Sequence, residues 1–201
     1  MHALTRWLDD LTAESTDSAG RRRAPLALLV LAALLFLPLL GHYGLWDPAE
    51  VRIAEIAKEM AHSKTWIVPA RAPGPRTPLL YWALSVGYRT GSGEWAGRLP
   101  IALLSLSSVL AAWYAGTGLL RRRGAFLGTF ALVTMPVFFL GARALNTHAD
   151  SILSAALAVG GLARLARPRA AGEEGGDALH FVLGFVGLVL GFFSSGMLLG
   201  V

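Results

Sequence analysis

The sequence predicts an all-α integral membrane protein with about five transmembrane helices. Hydrophobic residues make up 54% of its 201 residues, charged residues only 15%, and the mean hydropathy is +0.53. The apolar residues are gathered in blocks of roughly bilayer-spanning length, which is not the pattern of an ordinary soluble domain. Arginine clusters flank these blocks, as the positive-inside rule expects at the cytoplasmic ends of spans. The formal net charge of +5 therefore indicates membrane topology, and no nucleic-acid partner is predicted.

The first predicted span follows a polar segment. Residues 1–24 are mixed in charge and include Arg21, Arg22 and Arg23 near their end, so we interpret them as a cytoplasmic tail. Residues 25–40 are apolar, and no small-residue cleavage pattern follows them, which favours an uncleaved span over a signal peptide. The run is short for a bilayer, so the prediction extends it through residue 45.

A long polar interval, residues 42–97, forms the predicted first outer loop. Asp47 suits a helix N-cap, Pro48 suits the first helical position, and Glu50 stands three residues after the cap. The helix that begins there has an apolar stripe and a charged face, so it is predicted to lie on the membrane surface. The stripe consists of Ile53, Ile56, Ala57 and Met60. Prolines then break the chain, and residues 79–88 form a second interfacial helix, too short to span.

Four further apolar runs complete the predicted transmembrane domain, which extends over residues 25–201. The runs are residues 98–120, 125–140, 152–165 and 181–201. Arginines follow the first and third of these runs, so both ends are placed on the cytoplasmic side. This puts the N-terminus in the cytoplasm and the first loop outside a bacterial-type inner membrane. The last run ends at Val201 without a polar flank, from which we expect either a longer chain or a partner that covers the end.

Four motifs lie in and after the first outer loop. They are Leu45-Trp46-Asp47-Pro48-Ala49-Glu50-Val51-Arg52-Ile53-Ala54-Glu55, then Trp66-Ile67-Val68-Pro69, then Thr77-Pro78-Leu79 with Tyr81-Trp82, and finally Arg98-Leu99. Together they resemble the start of the GT-C glycosyltransferases, in particular the lipid A aminoarabinose transferases and the protein O-mannosyltransferase-like group. The domain over residues 25–201 is accordingly expected to be the N-terminal half of a GT-C-like transmembrane domain.

The resemblance implies a membrane enzyme that transfers a sugar from a polyprenyl-phosphate donor to a lipid or protein acceptor outside the membrane. It implies catalytic carboxylates at the start of the first loop helix, here Asp47 and Glu50, and at the outer end of a later span, here Asp150. Such a carboxylate can accept the acceptor's proton, and Asp47 with Asp150 could hold a divalent metal ion as a cofactor. Arg52 and Arg76 would bind the donor phosphate.

The chain departs from the family pattern at several positions where relatives carry charged side chains. Ala49 stands where relatives often have Asp, Arg76 and Thr77 where they have Glu and Lys, and Ser195 where they have Lys. The alternative hypothesis is a degenerate, non-catalytic GT-C module that serves as an assembly subunit among membrane lipids and partner proteins. Because 201 residues fall far short of the usual family chain, we do not expect this sequence by itself to catalyse transfer.

Each candidate residue also has a purely structural interpretation. Asp47 and Asp150 suit helix N-caps, and Glu50 suits a capping box. Arg52 could form an ion pair on the charged face of its helix, and Arg76 could contact lipid headgroups. The sequence leaves these alternatives open, together with the identity of the sugar, the acceptor and any partner subunit.

Overall fold

The structure, a computed structural model, describes residues 18–42, 44, 48–62, 78–91, 93–145, 149–166 and 177–195. Regular structure in that part of the chain is entirely α-helical, which confirms the all-α class. The helices are α1 (Ser18–Phe36), α2 (Pro48–His62), α3 (Pro78–Thr90), α4 (Glu94–Leu119), α5 (Arg122–Thr134), α6 (Pro136–Gly141), α7 (Ala149–Leu165) and α8 (Asp177–Ser195).

Helix α4 is the helix best suited to cross a membrane. It has 26 residues and is, within the described ranges, the one helix both long and apolar enough to span a bilayer. Shorter apolar helical stretches cover Arg23–Phe36 and Ala178–Ser194. Because α4 begins at Glu94, earlier than the predicted start of the span, Arg98 lies inside the helix. The predicted number of spans and their orientation stay predictions.

Large apolar side chains are exposed along the flanks of several helices. On α1, Leu26, Val30 and Leu34 recur every four residues and face outward, whereas Leu28 and Phe36 are buried. Helix α8 exposes most of its large apolar side chains in the same way. A monomeric soluble protein rarely presents such extensive apolar surface, which is typical of helices that contact lipid or further helices.

The predicted span over residues 125–140 is divided in the structure. Helix α5 ends at Thr134 and α6 begins at Pro136, with Met135 in an extended conformation between them. Pro136 has no N–H to continue the hydrogen-bond ladder of α5, and its ring disfavours helical geometry at Met135. The two pieces therefore meet at a break whose position Pro136 determines.

Two buried apolar clusters form the core. The first joins α2, α3, the start of α4 and Leu145. Its larger members are Ile53, Ile56, Met60, Leu80, Tyr81, Leu84, Tyr88, Ile101 and Leu145. The second joins α1, α4, α5 and α6, and its larger members are Leu28, Phe36, Val109, Phe126, Val133 and Phe138. Helix α4 contributes to both clusters, so it connects the α2–α3 pair to the rest of the bundle.

Close approach of helices depends on glycine at several crossings. Helix α4 packs against α1, α3, α5 and α7, and α7 packs against α8. A Cβ on Gly97 of α4 would lie 2.7 Å from Cζ of Tyr88 on α3, and a Cβ on Gly161 of α7 would lie 2.6 Å from the amide nitrogen of Gly184 on α8. Small residues of α4, α5 and α7 also leave an apolar groove of about 480 Å³ between these helices. Small side chains at such crossings are typical of helix packing in membranes.

The end of α1 is held by an arginine from far along the chain. Leu39 has a positive φ of 57°, which turns the chain away from the helix axis. Arg143, in the turn after α6, donates from Nη1 to the Leu35 carbonyl at 3.0 Å and from Nη2 to the Pro38 carbonyl at 2.8 Å. The last carbonyls of a helix have no partner within it, so the guanidinium satisfies this end and docks the turn of residues 142–145 beside it.

Candidate functional site

Helix α2 carries the predicted apolar stripe. The helix covers Pro48–His62, and all four residues assigned to the stripe are buried. Arg52, Glu55, Lys58 and Glu59 are exposed on the other side. The amphipathic pattern is therefore confirmed, and the stripe packs against α3 and the start of α4.

A fully buried arginine forms hydrogen bonds to the segments around the start of α2. Arg98 of α4 is 0% exposed. Its Nη1 donates to the Leu40 carbonyl at 3.3 Å, and its Nη2 donates to the Gly44 carbonyl at 3.1 Å and lies 3.5 Å from Oε2 of Glu50. Arg98 therefore binds both the chain that leaves α1 and the first turn of α2.

Glu50 is engaged on both of its carboxylate oxygens. Oε2 forms the ion pair with Arg98, and Oε1 accepts a hydrogen bond from the backbone N–H of Leu145 at 2.8 Å. The residue is only 8% exposed. Removing one partner of a buried pair leaves an uncompensated charge, which typically destabilises a protein by about 3–5 kcal/mol. Glu50 thus joins α4 to the turn that leads toward α7.

Tyr88 lies in the same polar region. Its ring is 5.2 Å from Nζ of Lys58, a cation–π distance, and its buried hydroxyl has no hydrogen-bond partner among the described residues. Burial raises the pKa of the Tyr88 phenol above its ordinary value of 10.0; Arg98 acts in the opposite direction, and the carboxylates of Glu94 and Glu50 add to the increase. Tyr88 therefore stays a neutral phenol near the Glu50–Arg98 pair.

Asp150 lies in the first turn of α7 and is buried, with 3% exposure. Its Oδ1 accepts a hydrogen bond from the backbone N–H of Ser151 at 2.9 Å. The hydroxyl of Ser151 is in turn 2.8 Å from the hydroxyl of Ser194 on α8. The predicted carboxylate therefore lies where α7 and α8 are held together by hydroxyl groups, five residues after Leu145.

A second polar cluster lies near the other end of α4. The Tyr114 hydroxyl is 2.8 Å from Nδ1 of His180, and Arg164 stacks on the Tyr114 ring with its Cζ 4.2 Å from the centroid. Nη2 of Arg164 also donates to the Tyr114 carbonyl at 2.8 Å and to the Thr117 hydroxyl at 2.6 Å. These contacts join α4, α7 and α8, and no local pattern in the sequence predicts them.

The remaining predicted site residues are placed only in part. Asp47 and Arg76 lie outside the described residues, and Arg52 is exposed on the charged face of α2. Within the described ranges, no group of three or more His, Asp or Glu residues is arranged to hold a metal ion. A metal shared by Asp47 and Asp150 therefore stays a prediction.

Arg98 belongs to the Arg98-Leu99 motif, but the sequence alone does not predict its role in the site. The available signal was its position beside a long apolar run, because an ionisable residue inside a membrane helix marks a functional or paired position. Its partner Glu50, 48 residues earlier, could not be read from the sequence.

Comparisons with known proteins bear on this site. A family model described as dolichyl-phosphate-mannose-protein mannosyltransferase matches residues 74–192, more than half of the chain. An undecaprenyl phosphate-alpha-4-amino-4-deoxy-L-arabinose arabinosyl transferase of Pseudomonas savastanoi pv. phaseolicola is 38% identical over 92 residues, which are 43% of this chain and 17% of that protein. A second such transferase, from Pseudomonas fluorescens, is 35% identical over 108 residues, which are 51% of this chain and 18% of that protein.

The chain spans less than a fifth of the length of these curated relatives. No solved structure matches it. The family match begins before α3 and ends within α8, so it includes Arg98 and Asp150 and lies beyond α2.

Proposed function

The chain belongs to the dolichyl-phosphate-mannose-protein mannosyltransferase family, a GT-C glycosyltransferase family, and we propose that it acts in sugar transfer from a polyprenyl-phosphate donor at a membrane. Two Pseudomonas relatives are named for an undecaprenyl-phosphate-linked aminoarabinose, so this is the first donor to test. The acceptor in the proposal is a lipid or a protein outside the membrane.

One observation carries the proposal beyond family membership. The hydrogen bond from the Leu145 amide to Glu50 joins the start of α2 to the turn that leads to α7. Asp47 stands three residues before Glu50, and Asp150 stands five residues after Leu145. This contact supports the expectation that Asp47 and Asp150 meet at one end of the helix bundle.

In the proposed reaction, one of these carboxylates accepts the proton of the acceptor hydroxyl while the hydroxyl oxygen attacks the anomeric carbon. The bond between the sugar and the lipid phosphate breaks, and the phosphate keeps the electron pair. Arg52 and Arg76 would stabilise its charge. If a divalent ion takes part, Asp47 and Asp150 would hold it, and it would supply further charge stabilisation at the phosphate.

The transfer reaction is tested with the full-length protein in membranes. The donor is undecaprenyl phosphate-α-4-amino-4-deoxy-L-arabinose, and mass spectrometry follows the release of undecaprenyl phosphate. Asp47→Asn and Asp150→Asn should each abolish release at normal protein levels, because Asn keeps the shape of Asp but is a much weaker base and metal ligand.

Glu59→Gln is the matched control for these variants, since Glu59 lies on the exposed face of α2. It should release undecaprenyl phosphate at the wild-type rate. A wild-type protein that releases none with this donor or with a mannosyl donor would instead favour the assembly-subunit hypothesis. The departures at Ala49, Arg76, Thr77 and Ser195 are the observations on which that hypothesis rests.

We further propose that the first loop lies outside the inner membrane, with five spans and a cytoplasmic N-terminus. The chain contains no cysteine, so single cysteines can be introduced without background. A membrane-impermeant thiol reagent added to intact cells should label Ser63→Cys and leave Gly172→Cys unlabelled. Labelling of Gly172→Cys but not of Ser63→Cys would show that the topology is the reverse of the one proposed, and it would exclude transfer on the outer side.

A further inference from the structure

We propose that Arg98 and Glu50 form a clasp that positions the start of α2 against the start of α7, and that Glu50 is a positioning residue and does not take up the acceptor's proton. The part of this inference that concerns transfer rests on the proposed function. The part that concerns geometry does not.

The first half of the clasp is the set of contacts made by Arg98. Its guanidinium binds the carbonyls of Leu40 and Gly44 and the carboxylate of Glu50. Asp47 stands midway between Gly44 and Glu50 in the sequence. The residues three positions before and three positions after Asp47 are therefore both bound by Arg98 of α4.

The second half is the carboxylate of Glu50. Each of its oxygens already accepts a bond from the protein, one from Arg98 and one from the Leu145 amide. With only 8% of its surface exposed, Glu50 presents little of its carboxylate to a substrate hydroxyl. A general base must instead come within hydrogen-bond reach of the proton that it removes.

The turn of residues 142–145 completes the connection. Leu145 binds Glu50, and Arg143 of the same turn binds the carbonyls at the end of α1. The turn is therefore held from two sides before the chain enters α7 and Asp150. Glu50 and Arg98 thus set the orientation of α2 relative to α7.

Transfer kinetics separate a positioning residue from a base. Glu50→Gln keeps an acceptor for the Leu145 amide, so its transfer rate should stay within about tenfold of the wild-type rate, with an unchanged pH profile. Glu50→Ala keeps no acceptor, and its transfer rate should fall at least about 100-fold. A positioned base contributes about 10²–10⁴-fold. A Glu50→Gln loss in that range, at normal protein level and normal geometry, would overturn the inference.

Variants of Arg98 give an independent kinetic test. Arg98→Lys should restore part of the activity that Arg98→Ala loses, because it keeps the charge but not the three contacts. The double variant Arg98→Ala with Glu50→Ala should lose less activity than the product of the two single losses, because the two side chains share the Arg98–Glu50 contact. Losses that multiply would overturn the inference.

A distance measurement tests the clasp without any activity. Spin labels on cysteines at Glu55 of α2 and Ala144 of the turn report the separation of the two segments in the purified full-length protein. Arg98→Gln and Glu50→Ala should broaden and lengthen the distance distribution, and the control Glu59→Ala should not change it. Unchanged distributions in both clasp variants would overturn the inference.

These readouts also separate failure of the clasp from failure of the proposed function. If Asp47→Asn keeps full transfer, or if no donor is turned over, the proposed chemistry fails while the distance measurement still decides the clasp. If Asp47→Asn abolishes transfer and the distances do not respond to Arg98→Gln, the chemistry stands and the clasp fails.

Discussion

Replacing Gly187 with alanine should force α7 and α8 apart. A Cβ on Gly187 would lie 2.8 Å from the Ser154 carbonyl oxygen and would collide with the backbone nitrogen of Ala158. Ordinary van der Waals contact begins at 3.4 Å, so the contact with the Ser154 oxygen alone requires the helices to separate by about 0.6 Å, and the closer Ala158 nitrogen requires more. Because the obstructing atoms belong to the backbone, no side-chain rotation can relieve the collision.

The matched control is Gly184→Ala, one turn earlier on the same helix. A Cβ there would meet Gly161 at 3.5 Å, which is ordinary contact. Both substitutions replace glycine by alanine in a helix and gain the same helix propensity, up to about 1 kcal/mol. The difference between the free energies of unfolding of the two variants therefore reports the packing effect alone. Overpacking of this kind destabilises by about 1–3 kcal/mol, and we expect Gly187→Ala to be less stable than Gly184→Ala by that amount.

The assay is denaturant unfolding of each purified variant in detergent micelles, followed by circular dichroism. The free energy of unfolding should fall in the order Gly184→Ala, wild type, Gly187→Ala. Gly184→Ala gains helix propensity without a steric collision, whereas the collision in Gly187→Ala outweighs that gain. Equal stability of the two alanine variants would refute the close packing of α7 on α8 at Gly187.

Four further substitutions test individual polar groups by the same unfolding assay. Arg143→Gln should destabilise the protein by about 1.5–3 kcal/mol, because the carbonyls at the end of α1 lose a charged donor; a neutral result would mean that the turn does not hold α1. Tyr114→Phe and His180→Phe should each destabilise by about 0.5–1.5 kcal/mol, and the double variant should not exceed either single change if the two groups bond to each other. Tyr88→Phe should be neutral or stabilising near pH 7, since it removes a buried hydroxyl that has no partner among the described residues. Because burial raises the pKa of the Tyr88 phenol in the folded protein above 10.0, the folded protein should lose stability as the pH rises from about 10 through that raised pKa. Tyr88→Phe should reduce this loss.

Local sequence signals predicted several helix boundaries well. The predicted start near Pro48 agrees with α2, and the predicted 79–88 helix agrees with α3 within two residues at its C-terminus. The starts of both helices, at Pro48 and Pro78, depend on proline and on capping by residues that are neighbours in the sequence. Helix α1, by contrast, begins at Ser18, inside the segment assigned to the tail, because arginines are good helix formers and hydropathy alone does not mark a helix start.

The contacts of the candidate site were less predictable, because they join residues far apart in the chain. The sequence placed Glu50 at a helix start but could not show that its oxygens bind Arg98 and the Leu145 amide. Hydropathy likewise indicated a span near residue 98 without showing which face of the helix is buried. Tertiary packing decides both, and no local pattern records it.

The bond between Glu50 and Leu145 also has a consequence for biosynthesis. The two residues are 95 positions apart, and at roughly 5–20 residues per second the ribosome makes Leu145 about 5–20 s after Glu50. During that interval Arg98 appears first, about halfway through, so the ion pair can form before the amide arrives. We therefore expect the nascent α2 to bind its partners in two stages. A translational pause between residues 98 and 145 should prolong the stage at which one Glu50 oxygen still depends on water.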